Sequence, residues 1–461
     1  MAKSEDITQK LDRTKPPKIG KPKDVKFPKY HESVMKNGVT VLVVQDKRVP
    51  LVTCRLVFKS GSSYDSFSGN NKSGLASLTA ELLTKGTSSM NASEIAEEVD
   101  YHGAVLTSGC DYDASYMSSY SLKKHFDRIF HITSDVVLNS IFAEEEIQRE
   151  KKQRINSLLS YLDEGDYLAG KTFNKKVYKD TPYSNPVEGL ESSINNLKRD
   201  DFKSFHKTHY VPNNLIIAFV GDIEINEAEE FVQKNFSDWE SKKIEELNMP
   251  HVAMDDETTV HVIKKKGAVQ SDIHLGHLGV TRNNPDFISV LVMNTILGGY
   301  FTSRINKNLR EVHGYTYGAR SVFNWRKYNG DFSVETDVKN NNTLNAINEI
   351  IKELKKIKQE KVSEDELSDV KSYISGNFPL RLETPNAIAT RVINLKLYDI
   401  ESDYYDKYVS RVNALSVEDI HSAADKYLHP DKLIVSIAGN TKEIKDSLKQ
   451  LGSVEVIEKV E

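Results

Sequence analysis

A chain of 461 residues exceeds one ordinary hydrophobic core, so two to four domains are expected. With 38% hydrophobic and 28% charged residues it reads as a globular protein with an ample core, and a net charge of -5 lacks the basic stripe that nucleic acid requires. Cys54 and Cys110 are too few for a disulfide framework or a thiolate metal site, and no apolar run approaches the ~20 residues of a membrane helix.

In chain order, the head "TKPPKIGKPKDVKFPK" is basic and proline-rich, which predicts an extended arm over 1–27. No apolar h-region follows Met1, so the chain reads as cytoplasmic, or as periplasmic where a leader has been removed. Two strand-like runs follow, "GVTVLVVQD" and "LVTCRLVFKSG", then a helix pair, then the strands "AVLTSG" and "ASYMSSYSL", then a long polar helix over about 144–167. The stretch "SDWESKKIEELNMPHVAMDDET" is charge-rich and weakly periodic, a linker pattern. Beyond it the order repeats: "TVHVIKK" and "VQSDIHLGHLGV", a helix pair, "YTYGARSVF" and "NGDFSVETDV", then polar helices over about 341–359 and 363–381.

The repetition extends to single residues. "DDFKSFHKTHYVPNNLIIAFVGD" (200–222) and "EDIHSAADKYLHPDKLIVSIAGN" (418–440) share Asp201/Asp419, Pro212/Pro430, Leu215/Leu433 and Gly221/Gly439 at one offset, 430 − 212 = 218. A single ungapped offset marks an internal duplication. Strands in hairpin order followed by runs of helices predict an α+β fold of two homologous domains, each an antiparallel-rich sheet covered by helices on one face. The expected organisation is an arm over 1–27, domains over 28–240 and 258–461, and a linker over 241–257.

Within "SGLASLTAELLTKGT" (73–87), Ser77 and Glu81 lie four apart on one helical face, opposite Leu75, Leu78 and Leu82. A zinc peptidase helix needs imidazoles at such positions and a carboxylate between them as general base. Those side chains are absent, which leaves Glu81 as an expected solvated surface acid. His206 and His209 in "FHKTHY" have ligand spacing on a helix but no third partner nearby, so structural roles are expected. His274 and His277 point to opposite faces of a strand. "LGGYFTS" lacks the Lys-Ser/Thr ending of a phosphate loop, and "KELKKIKQEK" is a solvated helix face.

The 73–87 stretch resembles the zinc helix of the pitrilysin-like, inverted-motif metallopeptidases, which runs Gly-Leu-Ala-His-x-x-Glu-His with Gly-Thr just beyond. The resemblance runs from about residue 28 to the C-terminus and includes "GGYFTSRINKNLREVHGYTYGARS" (298–321). On that pattern Ser77 and Glu81 occupy the histidine positions and Ala80 the catalytic glutamate. Ser157, 76 residues beyond Glu81, occupies the third-ligand position of several members. One carboxylate beside two hydroxyls cannot approach the ~10–16 kcal/mol of a small four-ligand zinc site, and Ala80 cannot take a proton from water. The resemblance therefore implies that this chain holds no metal and is inactive alone.

In "NLREVHGYTYGARS", Arg310 is expected in the last turn of a helix, Gly314 at its exit, and Tyr315, Tyr317 and Ala319 on one face of the next strand. The family carries an arginine and a tyrosine seven apart here, which bind substrate backbone and stabilise the transition state opposite the metal. Arg310 and Tyr317 match that spacing. Some bacterial members and the mitochondrial processing peptidase are heterodimers of two similar chains. The resemblance thus implies a non-catalytic, substrate-binding subunit acting on unfolded peptides, with zinc in a homologous partner and no membrane or nucleic-acid partner. The peptide would add as a strand to a sheet edge. The competing expectation is a scaffold subunit like the peptidase-derived core subunits of the respiratory cytochrome bc complex. A lone peptidase would need a metal site that the residues do not supply.

Overall fold

The computed structural model describes residues 14, 26–65 and 72–460, so most of the expected arm lies outside the described residues. Two six-stranded sheets organise the chain. The strands of the first are β1 (His31–Val34), β2 (Thr40–Gln45), β3 (Leu51–Phe58), β4 (Val105–Cys110), β5 (Ser115–Leu122) and β6 (Leu215–Gly221). Those of the second are β7 (Thr259–Lys264), β8 (Gln270–Leu278), β9 (Ala319–Asn324), β10 (Asp331–Lys339), β11 (Ile434–Gly439) and β12 (Ser453–Ile457). Their orders are β1-β2-β6-β3-β5-β4 and β12-β7-β11-β8-β10-β9, the same layout twice over five positions. Each central strand, β6 or β11, pairs in parallel with β2 or β7 and antiparallel with β3 or β8. The sixth positions differ: β1 joins antiparallel from the N-terminal side, β12 in parallel from the C-terminus. Neither short edge strand stands out in the sequence pattern.

The apolar runs at the sheet centres are buried on both faces, and the covering layers come from different halves. Val41 and Val43 of β2 and Leu215, Ile217 and Phe219 of β6 pack with Phe126, Phe130 and Phe202 of the first half's own helices. Their alternates, Leu42, Val44, Ile216, Ala218 and Val220, join the core that contains Ile388, Val392 and Ile393 of the helix Pro385–Leu397. That helix belongs to the second half and lies across β3 and β6. Reciprocally, the helix Gly165–Tyr178 of the first half lies across β8 and β11. There Leu168 and Ala169 pack on Ile263 and Ala438, and Ser436 donates from its hydroxyl to the Ala169 carbonyl at 2.8 Å. The two exchanged helices stand at about the same place in each repeat. Each buried Leu, Val or Phe of these layers is worth about 1.5–3 kcal/mol, so the exchange welds the halves together.

The expected helix over 144–167 is interrupted. The helix Glu144–Tyr161 closes at Leu162, and a new helix begins at Gly165 to make the crossing. A Cβ at Gly165 would stand 1.8 Å from Asp272 Oδ2, so a side chain there would force the Asp272 carboxylate aside. Residues 239–256 carry no helix or strand, although Leu247 and Val252 are buried. At the N-terminal limit Phe27 is buried and stacks on Tyr405 with ring centres 4.8 Å apart.

A polar node completes the contact between halves. Arg326 of the second half lies 3.8, 4.4 and 5.1 Å from the ring centres of Tyr112, Tyr178 and Tyr183 of the first. Its guanidinium stands 3.7 Å from the fully buried Asp331, which accepts from Tyr178 at 2.6 Å and from Asn324 at 2.8 Å. Asp113 of the first half accepts from Tyr183 and from the Lys327 backbone N–H, the latter at 2.9 Å.

Candidate functional site

The first half of the candidate site is the helix Leu75–Leu82, written in good helix formers and entered through Gly74 at φ 94°. Its first N–H groups are capped from a distance: Asp65 accepts from Gly74 N at 2.7 Å and from Ala76 N at 2.8 Å. The helix is wedged among the helices Glu144–Tyr161 and Arg199–His209 and the strands β4 and β5. Every residue of it except Glu81 is buried.

Glu81 is not the solvated acid that the spacing suggests. It is half-buried and paired with Arg154 of the helix Glu144–Tyr161. The neighbouring helix packs over the face carrying Ser77 and Glu81 and leaves the Glu81 side chain partly exposed in a cavity. The Arg154 guanidinium donates through Nη1 to Ser77 Oγ at 3.1 Å and to the Glu188 carbonyl at 2.9 Å. Through Nη2 it donates to Ser77 Oγ at 3.2 Å and to Glu81 Oε1. Burial raises the Glu81 carboxyl above the usual carboxylate range, the Arg154 charge opposes this, and Glu150 adds to it. Glu150 is itself buried and bridged to Lys85 at 3.1 Å. Ala80 is completely buried and presents only a methyl group. Ser157 lines a cavity of about 490 Å³ together with Glu81, Arg154 and Glu188.

Positions 81 and 157 therefore line one cavity, and Ser77 is joined to it through Arg154, but the donor set does not fit zinc. The Ser77 hydroxyl and the Glu81 carboxylate are both committed to a guanidinium. Among the described residues no group of three or more His, Cys, Asp or Glu side chains could hold a metal ion. Arg154 escaped the sequence reading. It sits one helical turn before Ser157 inside the basic run "REKKQR", where a single functional cation cannot be told from a solvated face.

The other histidines are structural. His206 Nε2 meets the Val137 carbonyl at 2.7 Å and His209 Nδ1 meets Ser60 Oγ at 3.2 Å, so the pair shares no ligand. Burial lowers the His209 imidazole to about 4. His274 bonds to Asp166 at 2.8 Å and His277 donates to the Leu278 carbonyl at 2.7 Å, on separate faces of β8.

On the second half, Arg310 lies in a π-helical turn over Lys307–Val312, and Gly314 follows at φ 65°, the helix end expected. The strand expected at Tyr315 begins only at Ala319. Residues 313–318 form a turn because local side chains and backbone satisfy it. Tyr315 N donates to the Leu309 carbonyl at 2.8 Å and the Thr316 hydroxyl donates to Gly318 O at 2.9 Å. From β10, Thr336 donates to the same carbonyl at 3.0 Å. Tyr315 stacks on His313, while Tyr317 is left 92% exposed at the apex. The Arg310 guanidinium lies 4.4 Å from the ring centre of Phe301, itself exposed. Beside this turn a cavity of about 510 Å³ is lined by Phe301, Gly318 and Arg320 and by the carboxylates Asp166, Asp272, Glu335 and Asp337. Among the described residues no helix is long and apolar enough to cross a membrane.

Comparisons with known proteins agree with this architecture. Residues 40–190 match the insulinase family (peptidase family M16), and residues 196–374 match the peptidase M16 inactive domain. An uncharacterized zinc protease of Rickettsia felis is 26% identical over 356 residues, 77% of this chain and 84% of the relative. A non-peptidase homolog of Helicobacter pylori is 23% identical over 418 residues, 90% of this chain and 95% of the relative. The crystal structure of a peptidase M16 inactive domain from Pseudomonas fluorescens superposes with a TM-score of 0.83 at 25% identity, covering 89% of this chain and 98% of that one. Two matches that together cover most of the chain, and a shared fold over nearly the whole length, place it in one family: it belongs to the insulinase, or M16, peptidase family.

Proposed function

We propose that this chain is the non-catalytic, substrate-binding subunit of a heterodimeric zinc endopeptidase. Its partner is a homologous chain that carries the intact zinc helix, and the substrate is an unfolded peptide. Arg310 and Tyr317 are the residues this chain contributes, as donors facing the partner's zinc across the closed chamber. The observation that carries the reading is Tyr317: a large aromatic held 92% exposed at the apex of a turn stapled by Thr316 and Thr336. Such a side chain contributes little to folding, whereas a binding surface has use for it. A purely scaffolding subunit needs neither this residue nor the adjacent arginine. Peptide would dock by strand addition, and the outer edges of β4 and β9 pair with no strand among the described residues.

The test is reconstitution with the zinc-bearing homologue that co-purifies with the chain from its host. Arg310→Ala and Tyr317→Phe are expected to slow peptide cleavage by about 10²–10³-fold and at least severalfold, respectively, with assembly by gel filtration unchanged. Rates equal to wild type for both variants refute the assignment. Recovery of the chain with an unrelated complex and no homologue would favour the scaffold reading instead.

A further inference from the structure

The degenerate metal position is neither vacant nor a relic surface: it is occupied by a side chain. We propose that the Arg154 guanidinium replaces the metal ion as a fixed internal cation, holding together the elements a metal would hold and closing the site to divalent cations.

The geometry carries this. The two side chains at the family's first and second ligand positions, Ser77 and Glu81, both converge on one guanidinium. Arg154 shares its helix with the third position, Ser157, and both line the same cavity. The side chain of Arg154 is only 10% exposed, although that of Glu81 is 37% exposed, so the cation is held inside while its carboxylate partner reaches the cavity. Its third acceptor is the carbonyl of Glu188, in a turn packed so closely on the entry of the zinc-type helix that a Cβ on Gly74 would meet that oxygen at 3.0 Å. One planar cation with fixed, forked donors thus joins the helix Leu75–Leu82, the helix Glu144–Tyr161 and the turn before Glu191. A metal ion would supply the same cross-link with its coordination bonds.

Charge points the same way. Glu81 is compensated by Arg154 and Glu150 by Lys85, so neither acid is left for a second cation. A divalent ion between Ser77 and Glu81 would lie within bonding distance of the guanidinium and be repelled by it. Loss of metal binding in this chain is therefore a replacement. Restoring the ligands alone does not restore the site.

Zinc retention by the full chain, with no partner present, tests this separately from the proposed subunit role. A variant carrying Ser77→His, Ala80→Glu, Glu81→His and Ser157→Glu is incubated with zinc chloride, gel-filtered and analysed for metal. It is expected to retain less than about 0.1 zinc per chain, rising to about one per chain when Arg154→Ala is added. One tightly held zinc in the variant that keeps Arg154 overturns the proposal. So does a zinc-free variant lacking Arg154 that elutes and melts as a folded protein. Should these multiple variants not fold, the single change Arg154→Met decides: it should lower the melting midpoint by several degrees and speed amide exchange in 75–82, with Arg154→Lys recovering only part. An unchanged midpoint and unchanged exchange in Arg154→Met overturn the clamp.

Discussion

Replacing Arg326 by methionine should loosen the two halves by about 3 kcal/mol. Methionine keeps most of the buried stem and removes the charge. What is lost is a desolvated cation over three tyrosine rings at 3.8, 4.4 and 5.1 Å, worth about 2 kcal/mol in such a setting. What is left behind is Asp331, fully buried and still accepting from Tyr178 and Asn324. Breaking a buried pair from one side costs about 3–5 kcal/mol, and those two donors hold the cost near the lower end. Removing both charges, as Arg326→Met with Asp331→Asn, should cost less than the sum of the two single variants, because no buried charge is then left unpaired. A chain of two large lobes does not unfold in one step, so the readout is hydrogen exchange in the helix Gly165–Tyr178. A loss of about 3 kcal/mol raises its opening about 150-fold. A single-variant effect below about 1 kcal/mol, or a double variant equal to the sum of its parts, refutes the reasoning.

Three more outcomes are expected. His209 is held neutral down to about 4 against an ordinary 6.5, so between those values the unfolded chain binds a proton that the folded chain does not, and stability falls as pH drops. Wild type should therefore lose up to about 3 kcal/mol more than His209→Gln between pH 6.5 and 4, read from urea midpoints of the first half; equal losses would exclude the mechanism. Gly276→Ala places a methyl 1.8 Å from the Phe332 carbonyl in the middle of β8 and should cost at least about 1–3 kcal/mol, checked by the melting midpoint. Tyr317→Ser should change stability by less than about 0.5 kcal/mol because the ring is almost wholly in solvent; a larger loss in the same melt would make it a folding residue.

Strands β2, β3, β5, β7, β8 and β10 were legible because strand-sized apolar runs or alternations of six to nine residues, bounded by turn residues, leave little choice of element. The start of β9 was not: "YTYG" has strand composition, yet Thr316 and Thr336 tie the backbone into a turn, and those hydrogen bonds need partners distant in sequence. Laid on the family pattern, the residue types at 77, 80, 81 and 157 were enough to raise the expectation of a missing zinc site, since a methyl and two hydroxyls are neither imidazole nor base. They were not enough to reveal Arg154, because a guanidinium becomes a site only when two helices bring its acceptors together.

The same division runs through the whole molecule. By itself the sequence determined the duplication and the paired α+β layers, which depend on residue type and local period, and its resemblance to a family supplied the expectation about the metal positions and the Arg310/Tyr317 pair. Tertiary structure alone decided that each sheet's second face is covered by a helix of the other half, that Arg326 is buried among three tyrosines, and that Glu81 is paired and not solvated. Both helices and both cations have ordinary local sequences. Their roles come from packing between segments far apart in the chain, where the cost of burying a charge or an apolar face is settled by whichever surface covers it.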